Sequence, residues 1–279
     1  MTRGERIVEA RKRKGMSQET LGEKLNVSGQ AVSCWERDEC LPETEKLIAL
    51  ADTLDVTTDA LLREDQDWKL KDVNDNPEHM YTFVKGRAQM LGLPRTLAAL
   101  PVMRERHRKT EKKRWSKYGF EVPYEAHPLT LACHALAMGL KNDDVLAACL
   151  LHDVVEDTGT TPEELKRLLP EPSDNVLEAV KLVSKNLYDQ TNPDWEKEYF
   201  RKIRENPLAC LVKCLDRVNN LSGMADGFDR EGMVEYTRET DREYPALLDV
   251  ISKVPEWNDA WWLLRYQMRS LLETFKRML

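Results

Sequence analysis

Four side chains that can bind a metal ion or transfer a proton lie within six consecutive residues of this chain: His152, Asp153, Glu156 and Asp157. At 3.6 residues per helical turn, positions 152 and 156 lie four apart, as do 153 and 157, so one helix face could carry all four. The apolar run 145–151 before them predicts that this helix begins in the core and ends at a cleft. Buried carboxylates and imidazoles without a counter-charge are costly, so the segment predicts a bound divalent cation.

One helix cannot complete a metal site, and two other segments supply candidate ligands. His127 lies in the sequence Tyr-Glu-Ala-His-Pro, and Asp216 lies in Lys-Cys-Leu-Asp-Arg. The predicted ligands are therefore His127, His152, Asp153 and Asp216. Two imidazoles with two hard carboxylate oxygens suit manganese, iron or zinc better than calcium, and the scarcity of thiolates argues against a structural zinc cluster.

The order of these motifs resembles that of the HD metal-dependent phosphohydrolases. More narrowly, it resembles the hydrolase domain of the RelA/SpoT family and its stand-alone members, the small alarmone hydrolases. The dipeptide His-Asp alone is common, but His-Asp-Val-Val-Glu-Asp-Thr between the two flanking motifs is specific. The segments that carry the resemblance are 123–128, 148–158, 213–220 and 236–244.

The resemblance implies a manganese-dependent hydrolase, with Fe²⁺, Zn²⁺ and Co²⁺ as alternative ions. It would remove pyrophosphate from the 3′ position of a guanosine alarmone such as ppGpp, leaving GDP or GTP. Glu156 and Asp157 would orient or deprotonate the attacking water. Because no synthetase motif follows the hydrolase motifs, we expect degradation of the substrate. Tyr124, Lys213, Arg217 and Asn220 are the expected substrate-binding residues, with Lys213 and Arg217 equally open to structural ion pairing.

The stretch 104–117 is strongly basic and allows two interpretations. It could be a solvated helix or loop, or a cationic mouth that attracts polyphosphate. The family has an Arg-Lys pair shortly before the Pro-Tyr motif, and this chain departs from that spacing. Arg114 and Lys117 are therefore candidates for this substrate-binding pair. Gly223 stands three positions after Asn220, where the family usually has a small hydroxyl residue. These departures leave open another substrate: an adenosine alarmone, NADPH or another nucleotide phosphate.

The first sixty residues contain a second set of motifs. Ser17 and Ser28 are predicted to cap two short helices with Asn26-Val27 as the turn between them, followed by a third apolar-periodic run. The segment 28–36 closely resembles the recognition helix of the Cro/cI-type, or XRE, helix-turn-helix family. In that geometry the second helix enters the major groove. Gln30 and Ser33 would then face base edges, with Gln18 and Ser28 near phosphates.

The resemblance implies a double-stranded DNA operator as a partner, and paired half-sites make a homodimer plausible. Because the net charge is −7, DNA contacts must come from a local patch. Alternatively, this small bundle has lost DNA binding and serves as a partner module.

For the whole protein, a further alternative is a transcriptional regulator that senses a nucleotide and turns it over little, although the intact Glu156-Asp157 pair argues for catalysis.

Helical periodicity dominates the chain, so we expect an all-α protein. It would have a five-helix N-terminal bundle over residues 1–65, a polar linker over 66–78 and an α-helical HD domain over 79–279. The start carries no apolar signal region and no run could span a bilayer, so the cytoplasm is the expected location. Cys210 and Cys214 are predicted core residues, and the isolated His79, His107 and His134 are expected to be structural.

Overall fold

The computed structural model describes residues 2–54, 56, 58, 61, 76–110, 113–115, 121–170, 173–224 and 228–279. The chain divides into two compact units, Met1–Lys71 and Asp72–Leu279, and each has its own hydrophobic core. Most of the predicted linker 66–78 lies outside the described residues, so its bounds stay predictions.

The N-terminal unit is a helical bundle whose helix starts follow the predicted caps. Ser17 accepts a hydrogen bond from the Thr20 amide, and Ser28 accepts one from the Ala31 amide. The predicted fifth helix, near residues 56–62, falls mostly outside the described residues. The helices in the described part of this unit are α1 (Arg3–Arg13), α2 (Gln18–Leu25), α3 (Gly29–Glu36) and α4 (Thr44–Leu54).

The connection between α2 and α3 requires two special residues. Asn26 ends α2 with φ +52°, in the left-handed region that asparagine tolerates better than most residues. A Cβ atom on Gly22 would lie 2.8 Å from the Val27 carbonyl oxygen, so only glycine permits this close approach. Val32 and Trp35 of α3 point into the core, as expected for the apolar face of that helix.

The larger unit is built from helices, which confirms the all-α prediction. Asn76, Thr161 and Asn206 cap three of them, each followed by a proline in the first turn, where its missing N–H is not needed. The helices are α5 (Pro77–Leu91), α6 (Pro94–Arg108), α7 (Ala126–Ala137), α8 (Asp143–Leu151), α9 (Val154–Asp157), α10 (Pro162–Leu168), α11 (Asp174–Val183), α12 (Trp195–Ile203), α13 (Pro207–Ser222), α14 (Arg230–Ile251) and α15 (Asn258–Met278).

Helices α8 and α13 form the centre of this unit. Helix α8 packs against α6, α7 and α11, and α13 packs against α7, α8, α11, α14 and α15. All residues of α8 from Val145 to Leu151 are buried. The start of α7, the end of α8 and the middle of α13 therefore place the candidate metal ligands at the centre of this unit.

One helix and one two-stranded ribbon were not anticipated from the sequence. Helix α6 was missed because its apolar residues are followed by a charged end, which obscures the periodicity. Strands β1 (Lys113–Trp115) and β2 (Glu121–Pro123) form an antiparallel ribbon in which Arg114 is paired with Val122. Its strands are three residues each, too short for an alternating pattern to be visible.

The cysteines fall into two groups. Cys210 and Cys214 are fully buried, which confirms their predicted core positions. Cys34 and Cys40 form a disulfide across the end of α3, a pairing that the sequence reasoning did not propose. Within the described part of the chain, no helix is both long and apolar enough to cross a membrane. The cytoplasmic location stays a prediction.

Candidate metal centre and active site

Two imidazoles and two carboxylates converge where the start of α7 and the end of α8 meet the middle of α13. The candidate ligand atoms of His127, His152 and Asp216 all lie within 4.8 Å of one another. The Nε2 atom of His127 is 3.1 Å from Oδ1 of Asp216. Asp153 completes the group, because its Oδ2 is 3.0 Å from Nε2 of His152 and 3.5 Å from Nε2 of His127. The structure thus brings together the four predicted ligands.

Hydrogen bonds orient both imidazole rings. The Nδ1 atom of His152 is 2.9 Å from the carbonyl oxygen of Cys149, one turn earlier in the chain. The Nδ1 atom of His127 is 2.9 Å from Oδ1 of Asn219 on α13. An N–H at Nδ1 satisfies both acceptors, so each ring in its neutral form would present the lone pair of its Nε2 atom to the cluster. Metal-ligating histidines are characteristically held in this way.

The carboxylates are held as firmly as the imidazoles. The Tyr124 hydroxyl donates to Oδ2 of Asp153 at 2.8 Å. Asp216 accepts from the Lys213 ammonium at 3.0 Å and from the Asn220 amide at 2.6 Å. Three predicted substrate-binding residues, Tyr124, Lys213 and Asn220, therefore contact the candidate ligands themselves.

The cluster fits a divalent cation. Ligand atoms about 2.0–2.2 Å from one ion lie roughly 3.0–3.5 Å apart, close to the contacts of 3.0 to 3.9 Å found here. Nε2 of His152 is buried and has no well-aligned hydrogen-bond partner in the described structure. Burial alone would lower the pKa of His152, but the Asp153 and Asp216 carboxylates raise it to about 9. A proton thus supplies positive charge at a place where a metal ion could supply it.

The segment 151–158 is not one continuous helix, so that prediction was wrong. Helix α8 ends at Leu151, His152 and Asp153 form a turn, and α9 begins at Val154. The Cys149 carbonyl that would accept the next helical amide instead receives the His152 side chain. The break separates the four side chains that a regular helix would present on one face.

Glu156 and Asp157 consequently point to different neighbours. Oε2 of Glu156 accepts the Lys185 amide N–H at 2.8 Å. Asp157 lies within electrostatic reach of His107 and Tyr124. Burial lowers the pKa of His107 and raises the pKa of Tyr124, and the negative charge of Asp157 raises both pKa values. The two carboxylates therefore have different surroundings.

Arg217 forms a buried ion pair instead of lining a cleft. Its guanidinium is 2.6 Å from the Glu239 carboxylate and also donates to Thr240. The Tyr236 and Tyr244 rings lie 3.6 and 4.4 Å from its central carbon. Of the two roles expected for Arg217, this environment favours structural ion pairing.

The basic stretch 104–117 is largely neutralised where it is described. Arg104 and Arg108 pair with Glu125, which is 2% exposed, and with Glu78. Arg106 pairs with Glu164. These ion pairs favour a solvated helix end over a cationic mouth. The side chain of Arg114 and all of Lys117 lie outside the described residues, so their role stays a prediction.

The candidate DNA-binding residues are placed unevenly. Gln30 and Ser28 are exposed on α3. The Ser33 hydroxyl is 2.6 Å from an Arg37 nitrogen, which donates to it. Gln18 donates to the Glu36 carboxylate at 2.7 Å, and Glu36 also pairs with Arg11. Gln18 thus helps fix α3 against the rest of the bundle.

Sequence reasoning did not identify three residues of the site. Asn219 orients His127, and it is adjacent to Asn220, to which the family motif draws attention. Lys185 supplies the amide that holds Glu156, a main-chain role that side-chain chemistry does not reveal. His107 lies 5.1 Å from the Tyr124 ring, although it was expected to be merely structural. Its position 20 residues before His127 gave no local spacing signal.

The fold and the site define an all-helical HD-domain protein with a second, helix-turn-helix domain. Residues 124–223 match the HD domain family, and residues 7–61 match the helix-turn-helix family. The HTH-type transcriptional regulator ImmR of Bacillus subtilis is 39% identical over 66 residues, which are 24% of this chain and 52% of that protein.

Other relatives of this chain include enzymes named as pyrophosphohydrolases. The guanosine-3′,5′-bis(diphosphate) 3′-pyrophosphohydrolase of Aquifex aeolicus is 31% identical over 147 residues, or 52% of this chain and 20% of that protein. The MESH1 enzyme of the same name from Xenopus tropicalis is 32% identical over 142 residues, or 47% of this chain and 73% of that protein. The chain belongs to this pyrophosphohydrolase family, and it spans only about a fifth of the Aquifex protein's length.

Proposed function

We propose that this protein is a metal-dependent hydrolase that removes pyrophosphate from the 3′ position of a guanosine alarmone. The observation that carries the proposal is the buried convergence of His127, His152, Asp153 and Asp216, with each ligand oriented by a further hydrogen bond. Manganese is the proposed ion, with Fe²⁺, Zn²⁺ and Co²⁺ as alternatives for the same nitrogen and oxygen donors. Such an ion supplies the positive charge that acidifies water and neutralises the reacting phosphate.

The side chains of this chain have distinct proposed roles in the reaction. Asp157, assisted by Glu156, orients a water molecule and takes its proton as the water oxygen bonds to the phosphorus attached to O3′ of the ribose. The bond between that phosphorus and O3′ breaks, O3′ takes up a proton, and pyrophosphate and GDP or GTP leave. Lys213 offsets the charge of Asp216. Tyr124 and Asn220 hold the ligand carboxylates and so form the wall against which the substrate binds.

A panel of nucleotides tests the substrate. Purified full-length protein with manganese is incubated with ppGpp, pppGpp, ppApp, NADPH and plain nucleotides, and products are separated by ion-exchange chromatography. Equal release of pyrophosphate and GDP from ppGpp, lost in Asp153→Ala, is the expected result. Release from ppApp alone, or of phosphate from NADPH, would support the same chemistry on a different substrate.

We further propose that the N-terminal unit binds double-stranded DNA through α3. Exposed Gln30 at its start is the best placed base reader, because glutamine can form two hydrogen bonds with adenine. Ser28 and Ser33 would contact the DNA beside it, and Gln18 would act by holding Glu36. A homodimer on paired half-sites is part of this proposal.

Selection from a random DNA pool tests this second part. Gln30→Ala should weaken binding of the selected sequence by roughly 1–3 kcal/mol and relax the preference at one base position. Gln89→Ala, an exposed glutamine of the larger unit, is the matched control. Absence of any enriched sequence would support the alternative in which this bundle serves as a partner module.

A further inference from the structure

The disulfide between Cys34 and Cys40 lies where α3 ends, and neither the hydrolysis nor the DNA contacts proposed above use it. The Cα atoms of the two residues are 5.6 Å apart, within the range that a disulfide spans. Both side chains are half-buried. Their separation in sequence is six, and a disulfide that closes so short a loop gains little stability from loop closure. A purely stabilising role therefore explains this pair poorly.

The remaining cysteines are much less suited to oxidation. They are the free thiols Cys133, Cys149, Cys210 and Cys214. Burial raises the pKa of the first three to about 12, and it raises that of Cys214 well above the ordinary value. Because the thiolate is the reactive form, these thiols react slowly at neutral pH. Oxidation should therefore concentrate on the pair at the end of α3.

The loop that the disulfide closes holds an arginine at the end of the proposed DNA-binding helix. Arg37 lies four residues after Ser33, one helical turn along the same face, and donates to the Ser33 hydroxyl at 2.6 Å. It also donates to both oxygens of the Glu39 carboxylate, at 2.8 and 2.9 Å. Ser33 adjoins Cys34 in sequence and Glu39 adjoins Cys40, so the disulfide limits how far these two partners of the guanidinium can separate.

This arrangement of the loop opposes contact with DNA. The guanidinium of Arg37 is occupied by Glu39 and Ser33, and the Glu39 carboxylate adds negative charge beside the surface that would face phosphates. The side chains of Arg37 and Glu39 are each 55% exposed, and an exposed ion pair contributes little by itself. Opening the disulfide therefore allows Glu39 to move away and frees an arginine, a side chain well suited to binding phosphate.

We propose that Cys34 and Cys40 are a reversible thiol–disulfide modification site, and that the disulfide form binds DNA more weakly than the dithiol form. The second half of this statement rests on the proposed binding of DNA by α3. In a reducing compartment, such as the predicted cytoplasm, disulfides are usually transient and serve catalysis or redox sensing. The structure then shows the oxidised, weakly binding form of the site.

The proposed oxidant is a hydroperoxide. One thiolate bonds to a peroxide oxygen and becomes a sulfenic acid as the oxygen–oxygen bond breaks and the departing oxygen takes up a proton. The second sulfur then bonds to the sulfenic sulfur and displaces its hydroxyl group, which leaves as water. With hydrogen peroxide, two thiols and one peroxide give one disulfide and two water molecules. A dithiol reverses the change by exchange and supplies the two electrons and two protons.

Mass spectrometry tests the modification without any DNA. Full-length protein is reduced with dithiothreitol, titrated with hydrogen peroxide and digested after the free thiols have been alkylated. We expect the peptide that links Cys34 to Cys40 to form before any other cysteine is modified, and dithiothreitol to reverse it. Cys133→Ser, which removes a half-buried thiol of the larger unit, is the control and should leave this link unchanged. Oxidation of the other cysteines before the pair, or no link at all, would overturn the proposal.

DNA binding by the same samples tests the consequence. For a sequence selected from a random pool under reducing conditions, the dithiol form should bind on the order of tenfold more tightly. The slope of log affinity against log salt should be steeper by about 0.9 in the dithiol form, because one more phosphate contact releases one more counterion. Cys40→Ser should bind like the dithiol form with or without peroxide. Equal affinities of the two wild-type forms would overturn the effect on DNA binding.

A charge variant tests the part assigned to Glu39. Glu39→Gln should raise the affinity of the disulfide form more than that of the dithiol form, because it releases Arg37. Glu43→Gln, which removes an exposed carboxylate beyond the loop, is the matched control and should change both forms equally. Equal changes from Glu39→Gln in the two forms would contradict the role of Arg37. If neither form binds any sequence, the proposed DNA binding fails, while the peroxide titration still decides whether the pair is a modification site.

Discussion

The geometry of the candidate metal site depends on the residues that orient the ligands as well as on the ligands themselves. The Nδ1 atom of each imidazole is hydrogen-bonded to an oxygen atom. The acceptor is Oδ1 of Asn219 for His127 and the Cys149 carbonyl oxygen for His152. Each ring therefore keeps the nitrogen that faces the cluster available as a ligand. Such outer contacts fix the tautomer and raise the basicity of the ligand. The affinity for metal should therefore depend on residues that never touch the ion.

Asn219 provides the first test of that dependence. Asn219→Leu removes the acceptor of the His127 Nδ1 proton, so the ring can rotate or adopt the other tautomer. We expect manganese affinity to fall roughly 10- to 100-fold, measured by titration calorimetry. Asn175→Leu, an exposed asparagine on α11, is the matched control. Equal affinities in the two variants would contradict the orienting role of Asn219.

The raised pKa of His152 predicts how metal binding depends on pH. Burial would lower this pKa, but Asp153 and Asp216 raise it to about 9 in the metal-free protein. Metal binding must displace that proton, so apparent affinity should rise up to tenfold per pH unit below about 9. Calorimetry between pH 6.5 and 8.5, in two buffers of different ionisation enthalpy, should show release of one proton. Affinity that is independent of pH, with no proton released, would contradict this.

The candidate ligands were predictable from sequence because all four lie in the motif segments 123–128, 148–158 and 213–220. The outer residues were less predictable. Asn219 and Asn220 are adjacent, and only the helical rotation between them decides which one faces His127. The role of Lys185 belongs to its main chain, which carries no residue signature. Arg217 could serve substrate or structure, and its burial with Glu239 became visible only in the fold.

At the scale of elements, the break between α8 and α9 is the local feature that shapes the site. The hydrophobic run 145–151 correctly predicts a buried helix that ends at the centre. Periodicity could not predict the turn at His152 and Asp153, because the competing hydrogen bond comes from the histidine side chain itself. The break sends Glu156 toward the 3₁₀ turn Lys185–Leu187 and Asp157 toward α6.

The buried ion pair between α13 and α14 should be essential to the larger unit. Glu239→Gln would leave the Arg217 guanidinium, which is 1% exposed, without its counter-charge. We expect the free energy of unfolding to fall by about 3–5 kcal/mol, and Arg217→Met with Glu239→Leu to recover much of it. Glu196→Gln, which breaks an exposed pair with Arg242, should cost less than about 1 kcal/mol. Urea unfolding checks all three, and similar losses from Glu239→Gln and Glu196→Gln would contradict the account.

At the scale of the whole molecule, two units with separate cores share one chain. The core of the smaller unit includes Ile7, Leu21 and Leu50, and that of the larger unit includes the residues around α8 and α13. The two helical patterns and their motifs were predictable because each depends on local periodicity. The ribbon β1–β2 was not predictable, since its pairing joins two three-residue strands with no apolar alternation.

Two separate cores predict two thermal transitions in the intact protein. Manganese should raise the midpoint of one transition only, because ligand binding stabilises the unit that holds it. Asp216→Asn should abolish that shift and leave the other transition unchanged. Scanning calorimetry with and without manganese measures both. A single transition that moves as a whole with the metal would contradict the independence of the two units.

The most direct test of the central claim compares two matched variants for metal content and turnover. Wild type, Asp216→Asn and Asp157→Asn are loaded with manganese, analysed by mass spectrometry for bound metal, and assayed for pyrophosphate release from ppGpp. We expect Asp216→Asn to lose both metal and activity. Asp157→Asn should keep its metal and lose roughly 10²- to 10⁴-fold in rate. Metal-loaded wild type that releases no pyrophosphate, or Asp157→Asn at the wild-type rate, would contradict the account.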